Sequence, residues 1–194
     1  MYRRIFIQFS RTVGACYAVP MVRGSPNPRH FQLPTRLRKA RKQTNLTRAG
    51  LAQKVGLTSE VAAYIEAGER VPTVATIARL ASALGIAAGW LAYGLGDMMA
   101  DGPAATTDGM GTRLETVRVT HGLTKAALAR LVDLSPSTVA DIERGAQSGV
   151  EVVEALATAL NVSPAWLAYG EGLRELPKRR RGRLPAQQSP DPAG

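Results

Sequence analysis

The chain repeats itself, and the repeat limits what it can fold into more than any other feature. Residues 35–94 align with residues 112–170, at an offset of 77 up to Gly68 and Gly145 and of 76 beyond them. Thr35-Arg36-Leu37 returns as Thr112-Arg113-Leu114, and Leu51-Ala52 returns as Leu128-Ala129. Ile65-Glu66 returns as Ile142-Glu143, and the run Trp90-Leu91-Ala92-Tyr93-Gly94 returns whole at 166–170. About 25 of roughly 60 aligned positions are identical, which chance does not produce. One module of about 60 residues therefore occurs twice.

Apolar residues in each copy follow a helical period, and no stretch alternates long enough to be a strand. The fold class is all-α, with about five short helices per module. A basic helix starts at Pro34 or Thr35, with Leu37 and Ala40 on one face. Thr47 caps a second helix whose inner face is Leu51, Ala52 and Val55. Thr58 caps a third, with Val61 or Ala62 and Ile65 inside, and Gly68 ends it. Pro72-Thr73 opens a fourth, and a last turn carries Trp90 and Leu91. In the second copy Ser135-Pro136 and Ser163-Pro164 are cap-plus-proline starts. Gly56 suits a turn position with positive φ, which its counterpart Asp133 accepts less readily. Gly50 is read as a mid-helix glycine, costing about 1 kcal/mol of propensity against the alanine at 127. Trp90, Tyr93, Trp166 and Tyr169 are read as aromatics that close the core.

The formal charge of +10 is unevenly distributed. Residues 1–34 carry five arginines and no acid; residues 35–96 sum to +6; residues 97–111 to −3; residues 112–173 to −2; and residues 174–194 to +4. These sums and the repeat divide the chain into a flexible basic N-terminal arm (1–33), a first domain (34–95), a linker (96–111), a second domain (112–172) and a disordered basic tail (173–194). The first residues, basic and acid-free, read as such an arm or as a start upstream of Met21; Gln8, Ser10 and Arg11 interrupt the apolar core of a signal peptide. A basic total favours an anionic partner. A single cysteine, Cys16, excludes a disulfide framework and a CxxC zinc site. His30 and His121 stand isolated, so no metal site, cofactor or nucleophilic catalytic set is expected, and the chain is read as a non-enzyme without a membrane span.

Two short helices joined by a tight turn, a small alanine (Ala52, Ala129) in the first, make a helix-turn-helix whose second helix can enter a major groove. The runs LTRAGLAQKVGLTSEVAAYIEAGERVPT and LTKAALARLVDLSPSTVADIERG, with the endings GIAAGWLAYG and NVSPAWLAYGEG, resemble the Cro and phage-repressor type of helix-turn-helix domain, also called XRE-like. The resemblance covers about 34–95 and 112–172. It implies two tandem five-helix, lambda-repressor-like domains between basic termini, and a bacterial, cytoplasmic transcriptional regulator, a repressor, that meets duplex DNA at the nucleoid.

Carried over residue by residue, the recognition helices are Ser59–Ala67 and Pro136–Arg144. The DNA-binding candidates are Thr58, Ser59, Glu60, Ala63 and Tyr64 in the first copy. In the second they are Ser135, Pro136, Ser137, Ala140 and Asp141. Arg48 and Lys125, at the start of the preceding helices, suit a phosphate clamp. Arg36, Arg38, Lys39, Lys42, Lys54 and Arg70 are further phosphate candidates. So are Lys178, Arg179, Arg180, Arg181 and Arg183 of the tail, where Leu184 breaks the R-G-R-P core of an AT-hook. The resemblance implies that a helix-one arginine pairs with the glutamate of I-E-x-G, so Arg41 with Glu66 and Arg118 with Glu143, each 25 residues apart, are read as scaffold ion pairs. The family's frequent Gln or Arg base readers are absent from the first recognition helix, and neither helix offers a bidentate Arg to guanine at its tip. The acidic second module leaves a competing reading open: an antitoxin-like accessory factor whose second module holds a protein partner or a second copy instead of DNA.

Overall fold

The chain folds into ten α-helices, five to a module, with no strand among the described residues. The computed structural model describes residues 28–99 and 105–176. The first module holds α1 (Leu33–Gln43), α2 (Arg48–Val55), α3 (Ser59–Ala67), α4 (Val74–Leu84) and α5 (Ala88–Tyr93). The second holds α6 (Met110–Thr120), α7 (Lys125–Leu131), α8 (Pro136–Glu143), α9 (Val150–Ala159) and α10 (Pro164–Tyr169).

The helix starts come from side-chain caps that satisfy otherwise orphaned backbone N–H groups. Thr47, Thr58 and Thr73 accept from Gly50, Val61 and Thr76 in the first module. Thr124 and Ser135 do the same for Ala127 and Thr138 in the second. Three chain reversals need a left-handed residue, and the copies solve each differently. Gly56 (φ 65°) faces Asp133 (φ 55°), Gly85 (67°) faces Asn161 (53°), and Asn45 (54°) faces Gly122 (65°). Asn and Asp are the non-glycine residues that tolerate this region best, so the backbone path is kept through all three exchanges.

Some boundaries differ from the sequence reading. Helix α1 begins at Leu33, and α6 begins at Met110, ahead of the 112 boundary. Helix α8 ends at Glu143, and Arg144 serves as its C-cap. Gly50 lies in the first turn of α2, where Thr47 caps it, and is not a mid-helix residue. Residues 29–32, read as part of a flexible arm, form a 3-10 turn.

Leucines at matching positions fill the two halves of the core. Leu37, Leu51, Leu80 and Leu91 are fully buried in the first module, as are Leu114, Leu128, Leu156 and Leu167 in the second. Ala52 and Ala129, at 1% and 0% exposure, sit where a helix crosses close to its neighbour. At the start of α6, Gly111 lies against α8 so closely that a Cβ would come within 2.3 Å of the Glu143 carbonyl oxygen.

Reciprocal contacts between equivalent residues relate the modules by an approximate two-fold, and the core runs across the junction. The Tyr93 hydroxyl donates to the Val150 carbonyl at 3.2 Å, and the Tyr169 hydroxyl donates to the Val74 carbonyl at 3.3 Å. Val74 N–H donates to Ser148 O at 2.9 Å, while Val150 N–H donates to Pro72 O at 3.2 Å. Under the offset of 76 each bond is the image of the other. Thr73 pairs with its own equivalent, Gly149, in an antiparallel bridge. Helix α5 packs on α10 at Gly89 and Ala165, again equivalents; a Cβ on Gly89 would fall 2.6 Å from that of Ala165. This self-complementary pattern is that of an isologous dimer, here made within one chain. Tyr93 and Tyr169 thus close the junction between modules, while Trp90 and Trp166 remain half-buried.

Candidate nucleic-acid interface

Helices α3 and α8 stand at the surface of their modules, each anchored by two or three buried side chains. Ala62, Ile65 and Glu66 hold α3; Val139 and Ile142 hold α8. The remaining faces point outward. Ser59, Glu60 and Tyr64 are exposed on α3, as are Pro136, Ser137 and Asp141 on α8, with Ala63 and Ala140 half-exposed beside them. Thr58 and Ser135, predicted as contact residues, use their hydroxyls as helix caps. Ser135 Oγ also lies 2.7 Å from Ser137 Oγ and 2.8 Å from Thr138 Oγ1.

In each module the helix α3 or α8 carries a buried carboxylate held by two cations. Arg41 Nε donates to Glu66 at 2.5 Å, and Arg118 Nε to Glu143 at 2.6 Å. Arg48 Nε and Lys125 Nζ add bonds of 3.0 and 3.2 Å to the same carboxylates. The arginine pairs tie α1 to α3 and α6 to α8, as the family resemblance implied. Burial opposes ionisation of Glu66 and Glu143. The hydrogen bonds and charges of Arg41 with Arg48, and of Arg118 with Lys125, outweigh it and hold both carboxyls below the usual range. Arg48 and Lys125 remain 52% and 43% exposed, so each keeps donors for a second anion.

The phosphate candidates fall into three groups. Arg36 leaves the set: its guanidinium donates to Leu91 O at 2.8 Å, Ala92 O at 2.6 Å and Arg29 O at 2.9 Å. Burial pushes its pKa down to about 10. Its double, Arg113, donates to Leu167 O and Ala168 O, so both arginines close the carbonyl ends of α5 and α10. Their repetition inside Thr-Arg-Leu, with no acid placed to pair them, was the sequence signal for this structural role. Lys39, Lys42, Lys54 and Arg70 are exposed without an ion pair among the described residues. Arg38 is exposed too and makes one bond of 3.3 Å to Glu66 O. Lys178, Arg179, Arg180, Arg181 and Arg183 lie outside the described residues.

The equivalents of the free cations in the second module are not basic. Arg38, Lys39, Lys42, Lys54 and Arg70 correspond to Glu115, Thr116, Val119, Leu131 and Ala146. Val119 and Leu131 are 60% and 62% exposed. On α8, Asp141 is occupied by Arg144 in an i,i+3 ion pair.

Two features had no warning in sequence. His30 is not isolated: its Nδ1 lies 2.7 Å from Glu154, which also accepts from the backbone N–H of Arg29 at 2.6 Å. Glu171 of the second module caps α5 of the first, accepting from Gly89 N at 2.6 Å and Ala88 N at 3.2 Å. Ala87 precedes α5 where Ser163 caps α10, so the cap missing from one copy is supplied by the other.

Among the described residues, no group of His, Cys, Asp and Glu is placed to hold a metal, and no helix is long and apolar enough to cross a membrane. No solved structure matches the chain at a significant level. The helix-turn-helix family HTH_3 matches twice, over residues 37–91 and 114–167, and each match contains one capped helix pair with its exposed second helix. The chain belongs to the Cro/C1-type, XRE-like helix-turn-helix family of DNA-binding regulators, with two copies of the domain in tandem.

Proposed function

We propose that the protein is a sequence-specific transcriptional repressor that binds duplex DNA through both modules, with α3 and α8 as recognition helices. The observation that carries this reading is the two-fold junction between the modules. A helix-turn-helix pair related by a two-fold matches the local dyad of a duplex and addresses two half-sites about one helical turn, 34–36 Å, apart. One chain already contains such a pair. Side chains at the tips of α3 and α8 supply base contacts, and Arg48 and Lys125 hold the flanking phosphates.

Affinity is divided unequally. Arg38, Lys39, Lys42, Arg48, Lys54 and Arg70 give the first module about six candidate phosphate contacts, which corresponds to a slope of log K against log salt near −5. The second module adds Lys125 and the specificity of α8. Occupation of a promoter by the chain would place it at the nucleoid and block transcription. A salt titration of binding to random-sequence duplex tests the proposal. A slope near −5 supports it, and no binding even at about 50 mM salt defeats it. Loss of reporter repression when Lys39, Lys42 and Lys54 are changed to glutamine tests the regulatory sign.

A further inference from the structure

We infer that one chain, without a second copy, reads one duplex site whose two halves differ in sequence. The inference rests on the DNA-binding reading above and specifies the class of duplex.

The first argument is that the dimer-like surface is already filled. Helices α5 and α10 meet at Gly89 and Ala165 with no room for one extra carbon, since a Cβ on Gly89 would lie 2.6 Å from Ala165 Cβ and 2.7 Å from a Glu171 carboxylate oxygen. Both tyrosine hydroxyls are spent on carbonyls of the opposite module. Glu171 and the Glu154 contact with Arg29 and His30 add bonds across the same junction. A second chain has no part of this surface left to pair with, and a single chain presents both recognition helices.

The second argument is that the two tips differ chemically where the scaffold does not. Under the offset of 77, Ser59, Glu60, Ala63 and Tyr64 correspond to Pro136, Ser137, Ala140 and Asp141. Only the alanines agree. Glu60 is an exposed carboxylate without an ion pair among the described residues, and such a group accepts from the amino group of a cytosine. Tyr64 adds a 49% exposed ring beside Ala63, an apolar surface suited to a thymine methyl. On α8 the Glu60 position is a serine, and the only acid of the tip is held by Arg144. A homodimer would impose the same reader on both halves of a palindrome. A fused pair whose tips diverge reads a non-palindromic site, with a cytosine-selecting half under α3 and a half without that selection under α8.

The test is selection of bound sequences from a random duplex pool with the full chain, together with the mass of the complex by native mass spectrometry. The expected result is a motif of unequal halves and one chain per duplex. The triple substitution Pro136→Ser, Ser137→Glu, Asp141→Tyr gives α8 the α3 tip at exposed positions; it is expected to convert the motif to two equal halves with the thermal transition retained. Glu60→Gln is expected to relax the preference in one half alone. A palindromic motif for the unaltered chain, two chains per duplex, or a motif that the triple substitution leaves unequal overturns the inference while leaving DNA binding intact. Absence of any binding overturns the DNA-binding reading itself.

Discussion

Lys42 and Lys54 of the first module stand where the second has Val119 and Leu131, and Arg41 with Glu66 stands where the second has Arg118 with Glu143. The exposed pair has diverged completely, while the buried pair is unchanged in residue type and nearly so in geometry, at 2.5 and 2.6 Å. The difference follows from what each position answers to. The buried carboxylate and its buried arginine constrain each other, because removing either alone strands a charge away from water. An exposed lysine contributes to binding and almost nothing to folding, so it can be lost without affecting the module that carried it. The scaffold is thus common to both copies, and the exposed cations are more numerous in the first.

The largest expected effects come from breaking what the copies share. Glu66→Ala and Glu143→Ala each strand a buried arginine and should cost about 3 kcal/mol, by about the same amount in both modules, in urea titrations. An unequal response would show that the modules are not energetically alike. The same two carboxyls, with Glu154, predict the acid limit. Their folded pKa values lie below the ordinary 4.5, so the stability they add is present above that value and is lost as pH falls through the folded values. Thermal melts between pH 6 and pH 3 should show the midpoint dropping on the acid side, and less so in a Glu66→Gln variant.

Next in size is the junction. Gly89→Val forces apart α5 and α10, and a loss of about 2 kcal/mol is expected from overpacking. Tyr93→Phe and Tyr169→Phe should cost about 1 kcal/mol each and match one another, since their bonds are two-fold images. A clear inequality would argue that the two-fold is broken in energy though kept in geometry.

The contrast in charge is tested in both directions. Lys42→Gln or Lys54→Gln should reduce the magnitude of the salt slope by about 1 each. Val119→Lys and Leu131→Lys should raise it by about 1 each if the second module lies on the duplex, and leave it unchanged if it does not. The smallest effect concerns Gly50. Its counterpart Ala127 takes the same capped position, and Gly50→Ala should add about 0.5–1 kcal/mol of stability. The added Cβ would sit 3.2 Å from Thr47 Oγ1, so a smaller gain would report that crowding.

Much of the fold was legible because its signals are local. Threonine and serine caps, the left-handed glycines and the helical spacing of leucines lie within a turn of what they control, and the caps at Thr47 and Thr58 recur in the second copy at Thr124 and Ser135. The capped starts of α3 and α8, at Thr58 and Ser135, were legible on the same ground. The phosphate candidates were less so. Arg36 and Arg38 differ by two residues in sequence, yet one guanidinium closes the end of α5 and the other faces outward. His30 and Glu154, 124 residues apart, gave no pairing signal at all.

By itself the sequence determined that the chain holds two copies of one helical module, which residues cap most of its helices, and that the first copy is far more basic than the second. These depend on neighbours a few residues away and on counting charges. Only the tertiary structure decided that the copies close on each other about a two-fold, that Tyr93 and Tyr169 serve the junction, and which cations remain free. Those outcomes depend on partners 50 or more residues distant, and nothing in a one-dimensional pattern records which surfaces bury each other when two cores become one.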